Sequence, residues 1–543
     1  MKRLAVPLLL AAGVAHADDS GIDDADTIAP GAIPDLALLG AELTPRAFAA
    51  PHEHTEVELH GSFRVRHEAL VNLDLDRGLD ATGNPLFPVP LGGGQTLDGG
   101  DLRGRTDLTI HAPGAGVLVK GRFDLLDNLQ WGGTPEAGTG RSPTPATSSG
   151  QRGGAVVVER LYGEVLTPFG VLAAGRMGAH WGLGIAAHGG DCEECDGGDA
   201  ADRIAFATPV AGHVLAAAWD MSASGPFTPR RDERRALDLA PSDDTTTWTG
   251  AILRTRSPAA RLRRAAAGLA TVEYGAFVSH RRQDDDVPAH YLPTATPRPP
   301  GSFDDADLMA RGFRATTGGV WFRLTTPRVR VELEAVYARA RIDQPSLVPG
   351  VLLDQAATSD QFGLAVETEV ALARHRLGVD AGVASGDDAP GFGAFPAPGA
   401  PAPRPGDLDG PQADPPGDTT VDNFRFHPDY KIDRILFAEI IGTVTDAIYL
   451  RPHARLTLAD AGPGRFAFTA AAVLSWAVAA ESTPSGARAL GIELDPSLEY
   501  RTGDFRVALD YAVFLPGAAF DNPMAELDAA AAQLVRLRLG YLF

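Results

Sequence analysis

The chain has two cysteines, and both stand in one acidic stretch, Asp191-Cys192-Glu193-Glu194-Cys195-Asp196, with Asp199 and Asp202 just behind. A C-x-x-C spacing serves three chemistries: a disulfide, a redox pair, or half of a metal site. Zinc takes four ligands, and neither a second C-x-x-C nor clustered histidines lie nearby in the sequence. A redox pair needs a thioredoxin-like βαβ setting, which the flanking pattern lacks. The spacing therefore predicts a small-loop disulfide between Cys192 and Cys195. The carboxylates of Asp191, Glu193, Glu194, Asp196, Asp199 and Asp202 are hard oxygen donors of the kind Ca²⁺ gathers, although their order does not fit the twelve-residue EF-hand loop. A solvated acidic loop is the commoner role of such a charge run, and both readings stand here.

The larger chemistry-bearing set is spread along the chain. Arg64, Arg66, Arg103, Arg105, Lys120, Arg122, Arg328, Arg330, Arg451, Arg455, Arg506, Arg536 and Arg538 alternate with apolar residues, as do Asp124, Glu332, Glu334, Glu367, Glu369, Glu493 and Glu499. Segment 56–66 sets the pattern: Val57, Leu59, Gly61, Phe63 and Val65 interleave with Glu56, Glu58, His60, Ser62, Arg64 and Arg66. A period of two is the signature of a strand with two unlike faces. Charges of both signs facing a common interior would select polar or charged solutes if segregated across a pore. Paired between neighbouring strands, they would fill a closed lumen. His60, His111, His180 and His453 fall on the same face, where a polar interior accounts for them. No G-x-S-x-G or other nucleophile–base constellation appears, so a membrane-embedded hydrolase has no residues to carry it and no enzyme activity is expected.

The elements that must position these residues are strands of about ten to thirteen residues. Ordinary sheet strands average five or six, whereas a tilted strand crossing a bilayer needs nine to eleven. The connections alternate long and short from 73–100 to 516–531, as in an outer-membrane barrel with short periplasmic turns and long extracellular loops. The pattern predicts an all-β, antiparallel transmembrane β-barrel of about 18 strands. Sixteen is the alternative, because 203–208 and 312–324 alternate weakly. No apolar run is long enough to span a bilayer as a helix.

The last strand carries a further signal: Val535, Leu537, Leu539, Tyr541 and the terminal Phe543 line one face, with Arg536 and Arg538 on the other. Here the chain resembles bacterial outer-membrane β-barrel proteins of porin-like type and, loosely, alginate-export channels. The resemblance covers Glu56 to Phe543 and implies the barrel-assembly machinery, outer-membrane lipid and lipopolysaccharide as partners. Lys2 and Arg3, an apolar run from Leu4 to Val14 and Ala15-His16-Ala17 predict a secretory signal peptide over 1–17, hence export to the outer membrane of a Gram-negative cell. Residues 18–55 read as a periplasmic segment, partly disordered. The loop 385–445 reads as an eyelet or plug, with its aromatic part folding inward and its Pro-rich part at the surface. A net charge of -22 argues against nucleic acid. The functional expectation is a passive or gated channel for small polar or charged solutes. Its rival is a structural or surface-interaction barrel with a closed lumen and cation-binding acidic loops. Neither solute nor oligomeric state follows from the sequence.

Overall fold

The computed structural model describes residues 54–78, 96–112, 116–131, 156–222, 242–286, 308–346, 352–392 and 418–543, and the backbone of a small hairpin, Phe227–Pro229 with Ala236–Asp238. The signal peptide, nearly all of segment 18–55 and the Pro-rich run of the longest loop lie outside the described residues.

Eighteen strands form the wall: β1 (Glu56–Val71), β2 (Thr96–His111), β3 (Val117–Gln130), β4 (Val156–Thr167), β5 (Gly170–Ala179), β6 (Asp199–Val210), β7 (His213–Ser222), β8 (Thr245–Arg254), β9 (Thr271–Asp286), β10 (Met309–Thr325), β11 (Val329–Ile342), β12 (Ala357–Leu372), β13 (His375–Ala384), β14 (Ala447–Ala461), β15 (Gly464–Ala477), β16 (Ala489–Leu494 and Ser497–Thr502), β17 (Phe505–Pro516) and β18 (Ala532–Leu542). β16 runs in two halves because Pro496 between them has no N–H for the ladder. Both halves pair with β15 and β17. The weakly patterned stretches at 203–208 and 312–324 are full strands, which sets the number at eighteen rather than sixteen.

Each strand is antiparallel to the next, and the ring closes where β1 meets β18, from Ser62 opposite Leu542 to Val71 opposite Gln533. The terminal residue completes the seam. Gly61 N–H donates to the Phe543 carbonyl at 2.8 Å, and Phe543 N–H donates to the Gly61 carbonyl at 3.0 Å. Closure removes the unpaired edges that hydrocarbon would not tolerate.

The burial pattern is that of a soluble protein turned inside out. Val57, Leu59 and Phe63 on β1, Val278 on β9, Val320 on β10, and Val535, Leu537 and Tyr541 on β18 are 39–58% exposed, while Arg64, Arg66, Arg103 and Arg105 are at most 6% exposed. An apolar outer band around a charged interior defines a transmembrane barrel and excludes a water-soluble sandwich.

At one end the connections are two- to five-residue turns, except 255–270, which carries helix α1 (Pro258–Ala266). Ser257 Oγ accepts the Ala260 N–H at 3.2 Å and Pro258 opens the first turn, two ordinary start signals. Arg261 on α1 reaches the fully buried Glu273 of β9 at 3.5 Å, which ties the helix to the mouth of the barrel. At the other end the connections are long, and among the described residues the segments 180–198 and 418–446 turn into the barrel, joined by the loop ends at 72–78 and 517–522. Their apolar residues make its core: Leu183, Ile185, Phe424, Phe426, Ile435, Phe437 and Ile440 pack with Leu73, Leu75, Phe514 and Phe520. Burial of this apolar set holds the loops inside.

Candidate functional site

The wall supplies a ladder of arginines that continues across the seam: Arg506 on β17, Arg536 and Arg538 on β18, Arg64 and Arg66 on β1, Arg103 and Arg105 on β2, Arg122 on β3 and Arg160 on β4. Carboxylates of the same wall orient several of them. Arg66 Nε donates to Asp101 at 2.7 Å, Arg105 makes a two-pronged contact with Asp124 at 2.7 and 2.6 Å, and Arg122 meets Asp107 at 2.7 Å. Arg506 meets Glu499 at 2.5 Å, Arg536 meets Glu68 at 2.7 Å and Arg538 meets Asp510 at 2.5 Å. The planar fork of arginine suits this geometry, and donors remain for a second partner.

That second partner is the acidic loop 180–198. Its entry is held by Glu334 of β11, whose Oε2 accepts the N–H of Gly184 at 2.9 Å and of Ile185 at 3.2 Å. Gly190 has φ +69°, and a Cβ there would strike the Gly197 carbonyl, so the tight return requires glycine. Cys192 and Cys195 are disulfide-bonded, and the small ring fans the carboxylates around it. Asp191 takes Arg122 and Arg160; Glu193 takes Arg506 at 2.7 Å; Glu194 takes Arg538 at 2.6 Å. Asp196 takes Arg64 at 3.0 Å, Arg66 at 2.8 Å and Lys431. Loop carbonyls join in, since that of Cys195 accepts from Arg64 at 3.2 Å and Arg103 at 2.5 Å. Burial alone would raise the pKa values of Asp191, Glu194 and Asp196. The surrounding guanidinium groups outweigh it and hold all three below the usual carboxylate range.

The second inward segment, 418–446, is a plug hung from β16, the strand next to the ladder's β17. Glu493 of β16 accepts the N–H groups of Arg434, Ile435 and Leu436, each at 2.8 Å. Asp433 accepts those of Phe437 at 2.7 Å and Ala438 at 3.1 Å, capping the single π-helical turn Leu436–Ile440. The apolar, charge-poor run 434–445 suits a short helix or a strand extension equally; a wall carboxylate that can collect three consecutive N–H groups decides for the turn. Burial and the nearby Asp495 push the Asp433 carboxyl up to about 7 against the pull of those N–H groups.

Loop and plug also grip each other. Asp429 of the plug accepts the N–H of Asp196 at 2.7 Å and of Gly197 at 3.2 Å, and Lys431 reaches the Glu194 carbonyl at 3.0 Å. The His188 and His427 rings stack at 5.5 Å, and His180 meets His188 edge-on at 4.9 Å. One ligand atom each from His188, His427 and Asp429 lies within 4.8 Å of the others. The absence of clustered histidines near the cysteines thus holds only along the chain, because folding brings His427 in from the other loop.

The remaining residues singled out in the sequence fall into further ion pairs on the inner wall, one of them joined to the ladder through Glu499. Lys120 stands 3.7 Å from Glu164, Arg330 bridges Glu332 and Glu367 at 2.8 Å each, and Glu369 meets Arg376 at 3.5 Å. Arg451 meets Asp380 at 2.7 Å and Arg455 meets Glu499 at 2.5 Å. Two placements differ from expectation. Arg328 lies exposed in the turn before β11, one residue beyond the alternating stretch, and is not part of the inner wall. The six acidic-loop carboxylates do not converge on one ion. Asp191, Glu193, Glu194 and Asp196 go to different arginines; Asp199 accepts the His188 N–H at 3.1 Å and faces His427 at 3.5 Å. Asp202 is 59% exposed on the outside of β6, paired with Arg176 at 2.8 Å. A six-oxygen calcium cage does not form from this set, and the loop is half-buried against the inner wall rather than freely solvated. Sequence reading missed Asp101 and Asp429. Asp101 borders the glycine pair 99–100 at the end of a long connection, and nothing in the chain marks the partner of Asp429.

Closure, outer apolar band and charged interior make the chain a porin-like outer-membrane β-barrel. No protein-family model matches it, and no curated protein does. Solved structures similar to it include the outer membrane protein opdK from Pseudomonas aeruginosa, at 9% identity and a TM-score of 0.44 over 91% of this chain and 100% of that one. A BenF-like porin from Pseudomonas fluorescens Pf-5 aligns at 8% identity and a TM-score of 0.44 over 90% and 98%. OccAB2 of Acinetobacter baumannii aligns at 10% identity and 0.41 over 90% and 98%. The class assignment rests on this chain's own geometry.

Proposed function

We propose that the protein is a gated outer-membrane channel for small charged solutes, with the acidic loop and the plug as the gate and anions as the favoured cargo. One observation carries the reading: the loop carboxylates Asp191, Glu193, Glu194 and Asp196 occupy donor positions on a continuous arginine ladder. An anionic solute offers those donors the same chemistry, so loop and solute compete for one track, and charge-lined constrictions select by sign. The test is recording from the purified barrel in planar bilayers. Anion-selective conductance that rises when 385–445 is deleted supports the channel. A barrel that conducts in neither form overturns it.

The apolar core inside the barrel favours a second reading, a closed structural or surface-interaction barrel, because Phe424, Phe426, Ile435 and Phe437 are at most 5% exposed. Silence of both the parent and the loop-deleted barrel would select it. The expected periplasmic leader, signal peptide and assembly machinery belong to the same proposal, and secretion-dependent processing at Ala17 is the measurement for the signal peptide.

A further inference from the structure

The outer wall carries charge where a lipid-facing surface is otherwise apolar. On the outward phase, Trp219 of β7 stands opposite Trp248 of β8 with ring centroids 6.0 Å apart, and Tyr337 holds the corresponding zone of β11. Such exposed aromatics mark the membrane–water interface of a barrel. They lie toward the long-loop end, so this interface is the outer leaflet. One step further toward the loops, Arg282 of β9 stands directly opposite Arg314 of β10, and Arg314 directly opposite Arg341 of β11. All three are exposed.

Side chains in direct register have Cβ atoms about 4.5–5.5 Å apart, and like charges so placed are destabilising. Within the wall the row is only partly answered. Arg341 meets Asp343 at 2.8 Å, and its neighbour Arg339 lies 3.7 Å from Asp360. Arg282 and Arg314 have no carboxylate partner among the described residues. Asp284 is exposed two residues beyond Arg282, yet among the described residues Asp343 is the one carboxylate in ion-pair contact with the row, and arginines in register beside interfacial aromatics fit an external polyanion at headgroup depth. The outer leaflet of a Gram-negative cell offers one in the phosphates of lipid A.

We infer that Arg282, Arg314 and Arg341 form an exterior binding site for the phosphate groups of lipid A. The guanidinium fork matches a phosphate two-pronged. The inference rests on the barrel and its orientation and is independent of whether the lumen conducts.

The experiment uses the full-length barrel in neutral detergent, titrated with bisphosphorylated lipid A and, separately, with lipid A stripped of phosphate, with bound lipid counted by native mass spectrometry. Arg282→Gln/Arg314→Gln should bind the bisphosphorylated lipid about tenfold more weakly than the parent, since each exposed charge contact contributes up to about fivefold. The phosphate-free lipid should show no difference between the two. Arg374→Gln removes an exposed arginine at the opposite end of the barrel, where it meets Asp460 at 2.5 Å, and should bind like the parent. Equal binding by the double variant and the parent overturns the site, as does an equal loss in Arg374→Gln. Should the double variant fail to fold, the parent still decides: binding that does not fall several-fold between about 0.05 and 0.5 M salt refutes a phosphate–arginine contact.

Discussion

Asp196→Asn tests the gate at its most connected point. The Asp196 side chain is 8% exposed and faces Arg64 and Arg66, which are 6% and 2% exposed, together with Lys431 of the plug. Asparagine keeps the shape and removes the charge, so two buried guanidinium groups lose one of their anions. Breaking a buried ion pair costs roughly 3–5 kcal/mol. Asp101 stays on both arginines at 3.1 and 2.7 Å, which places the expected loss at the lower end, about 3 kcal/mol. Opening of the docked loop should then become roughly a hundredfold more frequent, at 1.4 kcal/mol per factor of ten. Amide hydrogen exchange reads that opening directly, because exchange through local unfolding follows its free energy. Amides of 185–197 should lose about two orders of magnitude of protection while those of β9 to β12 keep theirs. Protection of the loop unchanged within a factor of about three would refute the claim that the ionic contacts hold it.

The pH profile of gating should have two limbs. Asp191, Glu194 and Asp196 are held below the usual range when docked, so their contribution is present above about pH 4, the ordinary carboxylate value, and is lost as pH falls through their depressed values. Asp433 is raised to about 7, so its contribution is full below about pH 4 and is lost as pH rises through 7. Closed-state occupancy in bilayer recordings should therefore peak between the two, and a monotonic profile would contradict the assignment. Glu493→Ala removes the acceptor of two buried N–H groups and one part-buried one and should destabilise the plug by about 3 kcal/mol, at about 1–3 kcal/mol per stranded buried donor, seen as faster proteolysis within 418–446. Equal cleavage in parent and variant would show that the plug is held by its apolar contacts alone. Deleting Phe543 removes both seam hydrogen bonds to Gly61, so membrane yield should fall far more than on deletion of 18–51; equal yields would count against the terminal strand as the assembly signal.

Period-two alternation with strands long enough to cross a bilayer determined the barrel, its inward charges and its long and short ends, because each strand's two faces meet different solvents whatever its neighbours are. It also determined the disulfide, since a three-residue spacing fixes the partners within reach. Strand number was open only where alternation weakened, at 203–208 and 312–324, and pairing with strong neighbours completed those strands. What tertiary structure alone decided is the direction and partner of each loop. Asp191 to Asp196 read as a solvated or calcium-binding run because local sequence records charge but not what faces it. The arginines that claim these carboxylates come from β1, β3, β4, β17 and β18, up to several hundred residues away. The meeting of His188 with His427, and of Glu493 with the turn at 434–436, is likewise a consequence of closure, which sets far strands and loops face to face across one interior. Nothing in the chain marks Arg282, Arg314 and Arg341 as a set; only the register of β9, β10 and β11 aligns them into one row.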